Sequence, residues 1–367
     1  MNVYKNTIAA PDGCELVLVE DGEHQNRVEY GDILFTQSSE TLEEVGLSSV
    51  WLHKASPFLN SFCFGFHFAG KEMINPRFIA YSLRTSYMRE KIIREGQGAT
   101  RYNLSSNRLK PIKLVYPSYQ EQSRIASLMS RLETRIEKQQ ELICTLKKYK
   151  RGLSDTLFAQ IAHNPDCVIV KFGEAFELLQ NNTFSREELT DIPSSVQNIH
   201  YGDVLIKYGS VVNIATDMPP YIKPSNDLQR FSRSSYLCDG DIVFADTAED
   251  YSVGKATEIV GVNGASVLSG LHTIPCRPFM KFQPMYLGFY FNSSLFRAQI
   301  YPLVQGTKVS SISKGELAKV SVHIPNEGDQ RRIASMLYSL DLRVAHEERQ
   351  VKALTDVKAA FLQQLFI

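Results

Sequence analysis

The sequence predicts an α+β protein: two mixed α/β globular parts separated by two long antiparallel coiled-coil helices, related by a pseudo-two-fold internal repeat. Three observations predict it. Arg124-Ile125-Ala126-Ser127 returns as Arg332-Ile333-Ala334-Ser335, an offset of 208 residues. Each copy opens with short apolar runs bounded by Gly-Asp turn signals. Each closes with apolar residues three and four apart over about forty positions. The boundaries that follow are 1–117 for the first globular part, 118–164 for its helix, 165–326 for the second globular part and 327–367 for the second helix.

The register of the repeat is long. Pro117, Gln122, Leu109, Gly98, Arg89 and Ile92 return as Pro325, Gln330, Leu317, Gly306, Arg297 and Ile300, and Gly31-Asp32-Ile33 answers Gly240-Asp241-Ile242 at an offset of 209. Two copies are too few for a solenoid. The copies differ at their starts: Gly240 lies 69 residues after Lys171, whereas 30 residues precede Gly31. The first globular part is therefore expected to lack the equivalent of 171 to about 209, and to expose a sheet edge or borrow a strand.

In chain order, Asp203–Ile206 and Asp241–Phe244 are apolar runs between turn signals and predict buried strands. The aromatic and aliphatic spacing of Phe78–Ile92 and Tyr286–Ile300 predicts one amphipathic helix per copy. Ile112–Pro117 and Lys319–Pro325 alternate as strands and stop at proline. The helical ladder runs through 125, 128, 132, 136, 143, 146, 153 and 157, with Gln139 and Lys150 as polar steps. Ile125, Leu132, Ile136 and Leu146, with Ile333, Leu340, Val344 and Leu354, form the expected seam, and Glu347 and Lys358 repeat the polar steps. An axis between positions 144 and 145 sets Lys150 opposite Glu347 and Gln139 opposite Lys358.

Composition bounds the function. With 367 residues, 43% hydrophobic, 22% charged and a formal net charge of zero, the chain is an ordinary globular protein without a global pull towards nucleic acid or membrane. It has no signal-like N-terminus and no apolar run of about 18 residues, so a cytoplasmic, non-membrane protein is expected. The six cysteines show no CxxC spacing and the histidines are isolated, so no metal site is predicted. Phosphate loops, His-Glu-x-x-His and G-x-S-x-G are absent from the sequence. Asp217-Met218-Pro219-Pro220-Tyr221 resembles the Asn/Asp-Pro-Pro-Tyr loop of amino-methyltransferases. Met218 intrudes, however, and no donor-binding Phe-x-Gly-x-Gly accompanies it.

Binding chemistry remains. Between Arg101 and Arg151 stand twelve Lys or Arg against four acids. A solvated helix face and a row of phosphate contacts both account for them. Thr100-Arg101-Tyr102-Asn103 and Thr307-Lys308-Val309-Ser310 occupy matching polar turns, with side chains able to reach phosphates or base edges.

Taken together, Pro117…Glu121-Gln122-Ser123-Arg124-Ile125-Ala126, its second copy Pro325…Asp329-Gln330-Arg331-Arg332-Ile333-Ala334, and the seams ending Leu-Phe resemble the specificity subunit of type I restriction-modification systems. The resemblance implies two target recognition domains, the first shortened, each reading half of a bipartite target in double-stranded DNA. It implies helices that set the spacing and dock methyltransferase (modification) subunits, and a restriction subunit in the full complex. It implies no active site and no cofactor, the methyl donor being bound by the partners. Arg101, Tyr102, Asn103, Lys207, Tyr208, Ser210, Lys308 and Ser310 are the candidate DNA contacts. The alternatives are a truncated or silent specificity cassette, and a DNA methyltransferase in its own right.

Overall fold

The computed structural model describes residues 2–20, 25–67, 73–306 and 308–366. It divides into two compact units, Met1–Leu142 with Glu347–Ile367 as unit 1 and Ile143–His346 as unit 2.

In unit 1, a short helix α1 (Asn2–Lys5) leads to β1 (Ile8–Ala9), then β2 (Ile33–Thr36), β3 (Ser38–Ser39), β4 (Ser48–Trp51) and β5 (Cys63–Phe66). Helices α2 (Pro76–Ser82) and α3 (Ser86–Arg94), strand β6 (Tyr102–Asn103) and a turn of helix α4 (Ser106–Leu109) follow, and then the long α5 (Tyr119–Ala162). The main sheet has the order β1-β4-β2-β5, with β1 parallel to β4 and the other pairs antiparallel. Its core is Ile33, Phe35, Val45, Val50, Ile79 and Ile92 with their neighbours.

Unit 2 extends the same main sheet by one strand and adds further strands in separate sheets. After β7 (Val168–Lys171), α6 (Phe172–Ala175) and β8 (Phe176–Leu178) come β9 (Leu189–Thr190), β10 (Gln197–Ile199), α7 (Tyr201–Ile206), β11 (Val211–Asn213), α8 (Ile214–Asp217) and β12 (Tyr221–Ile222). The chain continues through β13 (Ile242–Ala245), β14 (Thr247–Ala248), β15 (Ala256–Val260), β16 (Val267–Ser269), β17 (Thr273–Pro278), α9 (Tyr286–Phe291), α10 (Ser294–Ile300), β18 (Ser310–Ser311), α11 (Lys314–Leu317), β19 (Ser321–Ile324) and α12 (Glu327–Gln364). The main sheet reads β11-β15-β13-β17-β8, a second sheet reads β16-β10-β12-β9, and β19 pairs with β7. Among the described residues unit 1 has the same order without an equivalent of β8.

The Gly-Asp-Ile repeat has a local cause. Gly31 and Gly240 adopt φ +91° and +89°, a conformation that favours glycine. The aspartate then accepts from the backbone N–H three residues back, Glu29 at 2.6 Å or Cys238 at 2.8 Å. Its other oxygen meets the strand across the sheet: Asp32 Oδ1 lies 2.8 Å from His67 Nδ1, and Asp241 Oδ1 accepts from Arg277 Nε at 2.8 Å. Burial raises the Asp241 carboxyl above its ordinary range, and the Arg277 hydrogen bond opposes that shift.

Three expectations need correction. Asp203–Ile206 is the body of helix α7, because His200 Nδ1 accepts from Gly202 N–H at its start and Asp203 is held in the first turn by Arg186 at 2.8 and 2.9 Å. The single helix expected in each copy is two, because Thr85 and Ser293 cap new helices with hydroxyls that accept from Met88 and Phe296 N–H. Residues 112–117 form no strand, whereas 321–324 pair with β7; the first copy supplies no described strand opposite them.

The long helices pair antiparallel within each unit. In unit 1, Ile125, Ala126 and Met129 pack with Phe361, Leu362, Leu365 and Phe366. In unit 2, Leu157, Phe158 and Ile161 share a core with Ile333, Ala334 and Leu337. The expected register is wrong. Gln139 donates to its own repeat mate Glu347, Lys150 pairs with Asp341, and Lys358 pairs with Glu133 at 2.6 Å. The last two are one contact written twice, since Glu133 and Asp341 are mates at the 208 offset. Each lysine thereby meets a carboxylate beside the seam rather than the seam's own polar step. Leu128 and Met336 are exposed, and their neighbours Met129 and Leu337 are buried in their place.

Candidate nucleic-acid interface

The matching polar turns are built alike from backbone upward. Ser38 and Ser39 pair with Asn103 and Tyr102, and Thr247 and Ala248 pair with Ser311 and Ser310. Gln97 and Asn103 exchange both backbone hydrogen bonds at 2.9 and 2.7 Å, as Gln305 and Ser311 do at 2.9 and 2.8 Å. Gly98 and Gly306 close the turns at φ +134° and +108°; a Cβ at either would lie 2.0 Å from a carbonyl oxygen, Arg101 or Val309. This explains why the glycine recurs.

An arginine, half-buried in the first copy and buried in the second, fixes the loop that each turn pairs with. Arg89 donates to the carbonyls of Glu43, Val45 and Gly46 at 2.9, 2.6 and 2.7 Å. Arg297 donates to Val253 and Tyr251, both at 2.6 Å. Burial, reinforced by neighbouring Arg84, lowers the Arg89 guanidinium to about 10. These arginines position loops and do not face a ligand. The loop held by Arg297 presents Asp246, Glu249 and Asp250 with Tyr251, which is 87% exposed. Beside it, Asp246 accepts from Thr247 Oγ1 at 2.7 Å and lies 3.5 Å from His272 Nδ1, and the His272 ring stands 5.4 Å from Tyr201. Sequence reasoning missed Tyr251, whose signal was an aromatic inside the polar run Glu249-Asp250-Tyr251-Ser252.

The candidate contacts lie on three segments. Arg101, Tyr102 and Asn103 share the first turn, with Tyr102 half-buried and the others exposed. Lys308 is exposed and Ser310 half-buried on the second. Lys207 is exposed at the end of α7 and Ser210 is half-buried, its carbonyl accepting from Glu258 N–H at 2.9 Å. Tyr208 is a correction. It is 4% exposed, within a core containing Val204 and Val212, because its N–H closes α7 on Asp203 O and turns the ring inward. Burial raises its phenol above the ordinary value.

Of the seam residues, Ile125, Ile333 and Val344 are buried, and Leu132, Ile136, Leu146, Leu340 and Leu354 are half-buried. In the basic stretch, Arg108, Arg124 and Lys150 stand in ion pairs with acids, while Lys110, Lys113, Arg131, Arg135, Lys138, Lys148 and Arg151 are exposed.

The conspicuous Gln-x-Arg-Ile-Ala pair is a hinge of packing rather than a contact surface. Gln122 and Gln330 are buried at the helix starts, and each donates Nε2 to the preceding proline carbonyl at 2.9 Å. Their Oε1 atoms accept the N–H of Asn75 at 2.8 Å and of Gln283 at 3.0 Å, tying each long helix to its globular part. The Asp217 motif is structural as well: its carboxylate accepts from Asn213 N–H at 2.8 Å and Met218 ends α8 at φ +44°. Among the described residues no group of three or more His, Cys, Asp and Glu could hold a metal ion, and no helix is long and apolar enough to cross a membrane.

Residues 17–147, which contain the first turn, its Arg89-clamped loop and the Gln122 tie, match the family model described as the type I restriction modification DNA specificity domain. The stretch from 17 to 147 is thus similar to the specificity domain of type I restriction-modification systems. A chain of Methanocaldococcus jannaschii provisionally named the MjaX type I restriction enzyme specificity subunit is 21% identical over 375 residues, covering 96% of this chain and 83% of that one. The crystal structure of the type I restriction-modification S subunit from M. genitalium is similar with a TM-score of 0.56 at 15% identity, covering 94% of this chain and 84% of its own. A structure reported for complex assembly and conformational transition of the type I R-M system gives the same values. These similarities establish a specificity-subunit fold of mixed helix and strand with two globular domains.

Proposed function

We propose that this specificity protein reads a bipartite site in double-stranded DNA, with each globular part contacting one half through its clamped polar turn and the paired helices fixing the gap. The observation that carries the reading is the duplicated construction of β3/β6 with β14/β18. Both copies use the same glycine, the same loop-clamping arginine and the same glutamine tie, yet they present different side chains at the tip. Exposed Arg101 and Lys308 suit phosphates, and Asn103, Ser310 and the carboxylates of the 246–251 loop suit base edges. The chain itself is non-catalytic on this reading. It binds no cofactor, and methyltransferase and restriction subunits dock on it and supply the donor and the chemistry. A cytoplasmic setting follows from those partners.

Mapping of methylated adenines in a host carrying the partner subunits tests it. Replacing 171–307 with a foreign recognition domain changes one half-site and leaves the other half and the gap unchanged. If both halves change, or neither does, the modular reading fails. A second reading, a shortened cassette that binds partners without reading a complete site, is favoured by the four-stranded sheet of unit 1; on that reading the same mapping finds no bipartite site for the parent chain.

A further inference from the structure

In unit 2, Phe172 and Phe176 sit between the main sheet and β19. Phe172 lies 5.8 Å from Phe244 and 5.7 Å from Phe291, and Phe176 lies 6.0 Å from Phe282 and 5.5 Å from Phe291. Unit 1 carries the mates of that lining, Phe35, Ile74, Leu83, Leu109, Ile112 and Leu114, around an open apolar cavity of about 440 Å³. Two backbone edges border it. Among the described residues β5 pairs only with β2, where its mate β17 also pairs with β8, and 113–116 make no ladder, where 321–324 pair with β7. A small apolar ligand could fill the space but would leave both edges unpaired, whereas a polypeptide strand satisfies them.

A second surface points the same way. Leu16 and Leu18, in the stretch after β1, are 104% and 94% exposed. The stretch after the corresponding β11 becomes β12 and pairs with β9 and β10. Both surfaces that the described residues of unit 1 leave uncovered are thus those that 168–199 covers in unit 2.

We propose that the groove of unit 1 is the docking site for a polypeptide segment with the chemistry of Val168–Leu178. That chemistry is an alternating aliphatic strand, a Phe-Gly-acid-small-Phe turn, and a second strand. The glycine suits a close approach: a Cβ at Gly173 would lie a tight 3.3 Å from Ala318 Cβ, and the backbone there binds directly, Gly173 N–H to Ala318 O at 3.0 Å. Charge agrees as well. His67 and Lys110 line the groove, and the occupant carries Glu174 and Glu177, the latter in register with Arg277, the mate of His67. A second copy of this chain is the poorer occupant, since its own 168–178 is engaged in its unit 2 and leaving would open an equal groove. The proposal stands whether or not the chain reads DNA.

The test titrates the full chain with a labelled synthetic peptide of residues 166–200 and follows anisotropy and amide exchange. Saturable 1:1 binding is expected, with new protection at 63–66 and 113–116. Affinity falls by about tenfold or more on Phe172→Ala in the peptide or Leu114→Lys in the chain. A thermal melt of the Leu114→Lys chain matching the parent shows that it folds. No binding, or binding without protection at those two edges, overturns the proposal. Concentration-dependent dimerisation of the chain alone, abolished by Leu114→Lys, assigns the groove to a second copy and overturns it equally.

Discussion

The two globular parts share a strand order, a clamped loop and a helix tie, yet one sheet has five strands and the other four. In unit 2 the apolar faces of β13, α9 and β19 close on Phe172 and Phe176. In unit 1 the same faces border a cavity. The difference teaches that the polar turn and its supports do not depend on the first strands of the fold. Arg89 and Gln122 make the bonds of Arg297 and Gln330 although the sheet beside them is incomplete.

The comparison can be broken most severely at the helix ends. Phe158 is fully buried against Tyr286 and Tyr290, and its mate Phe366 stacks on Phe78 at 5.1 Å but is only half-buried. Phe158→Ala is expected to cost about 3–5 kcal/mol, and Phe366→Ala clearly less. Denaturant titration with a probe in each unit checks this, and equal losses would mean that the two ends are packed alike. The glutamine ties come next. Gln122→Ala or Gln330→Ala leaves a buried N–H unsatisfied and should cost about 1–3 kcal/mol in its own unit. A loss confined to one copy would show that the conserved geometry is energetically unequal.

A pH effect should separate the units because Glu258 has Val50 as its mate. Burial raises the Glu258 carboxyl to about 7, opposed by the N–H groups of Gly288 and Met285, which donate to it at 2.8 and 2.6 Å. The folded form therefore keeps a proton that the unfolded chain releases from about 4.5. The associated stability is present below that pH and lost as pH rises through about 7. Melting curves of unit 2 should fall across this window in the parent and flatten in Glu258→Gln; an unchanged slope would locate the titration elsewhere. The smallest effect is expected at Lys308. Lys308→Ala should reduce the salt slope of DNA binding by about one if it meets a phosphate, whereas lost discrimination at one base pair would assign it to a base.

Much of the architecture was legible where identity at a fixed offset met a geometric necessity. Gly98 and Gly306, Gln122 and Gln330, and Arg89 and Arg297 each recur because one backbone position admits one side chain. Short apolar runs were not legible in the same way. Asp203–Ile206 reads equally as strand or helix until His200 supplies a cap, and the aromatic spacing of 286–300 runs straight through the Ser293 break. The helix register was missed because polar steps in a seam were paired with each other, while Glu133 and Asp341 from outside it took the lysines. Of the candidate contacts, Tyr208 failed because a tyrosine at a helix end has no sequence mark saying which way its ring turns. Tyr251 was passed over because no second copy repeats it.

The division of the chain also bears on the order of its synthesis. Unit 2 is one continuous stretch, Ile143–His346, and all of it is synthesised before Glu347–Ile367. Unit 1 needs Glu347–Ile367 to finish, since Phe361, Leu362, Leu365 and Phe366 cover Phe78, Tyr81, Ile125 and Met129. The half that emerges first must therefore be the half that is completed last. It waits through the translation of more than two hundred residues with an apolar helix face in water.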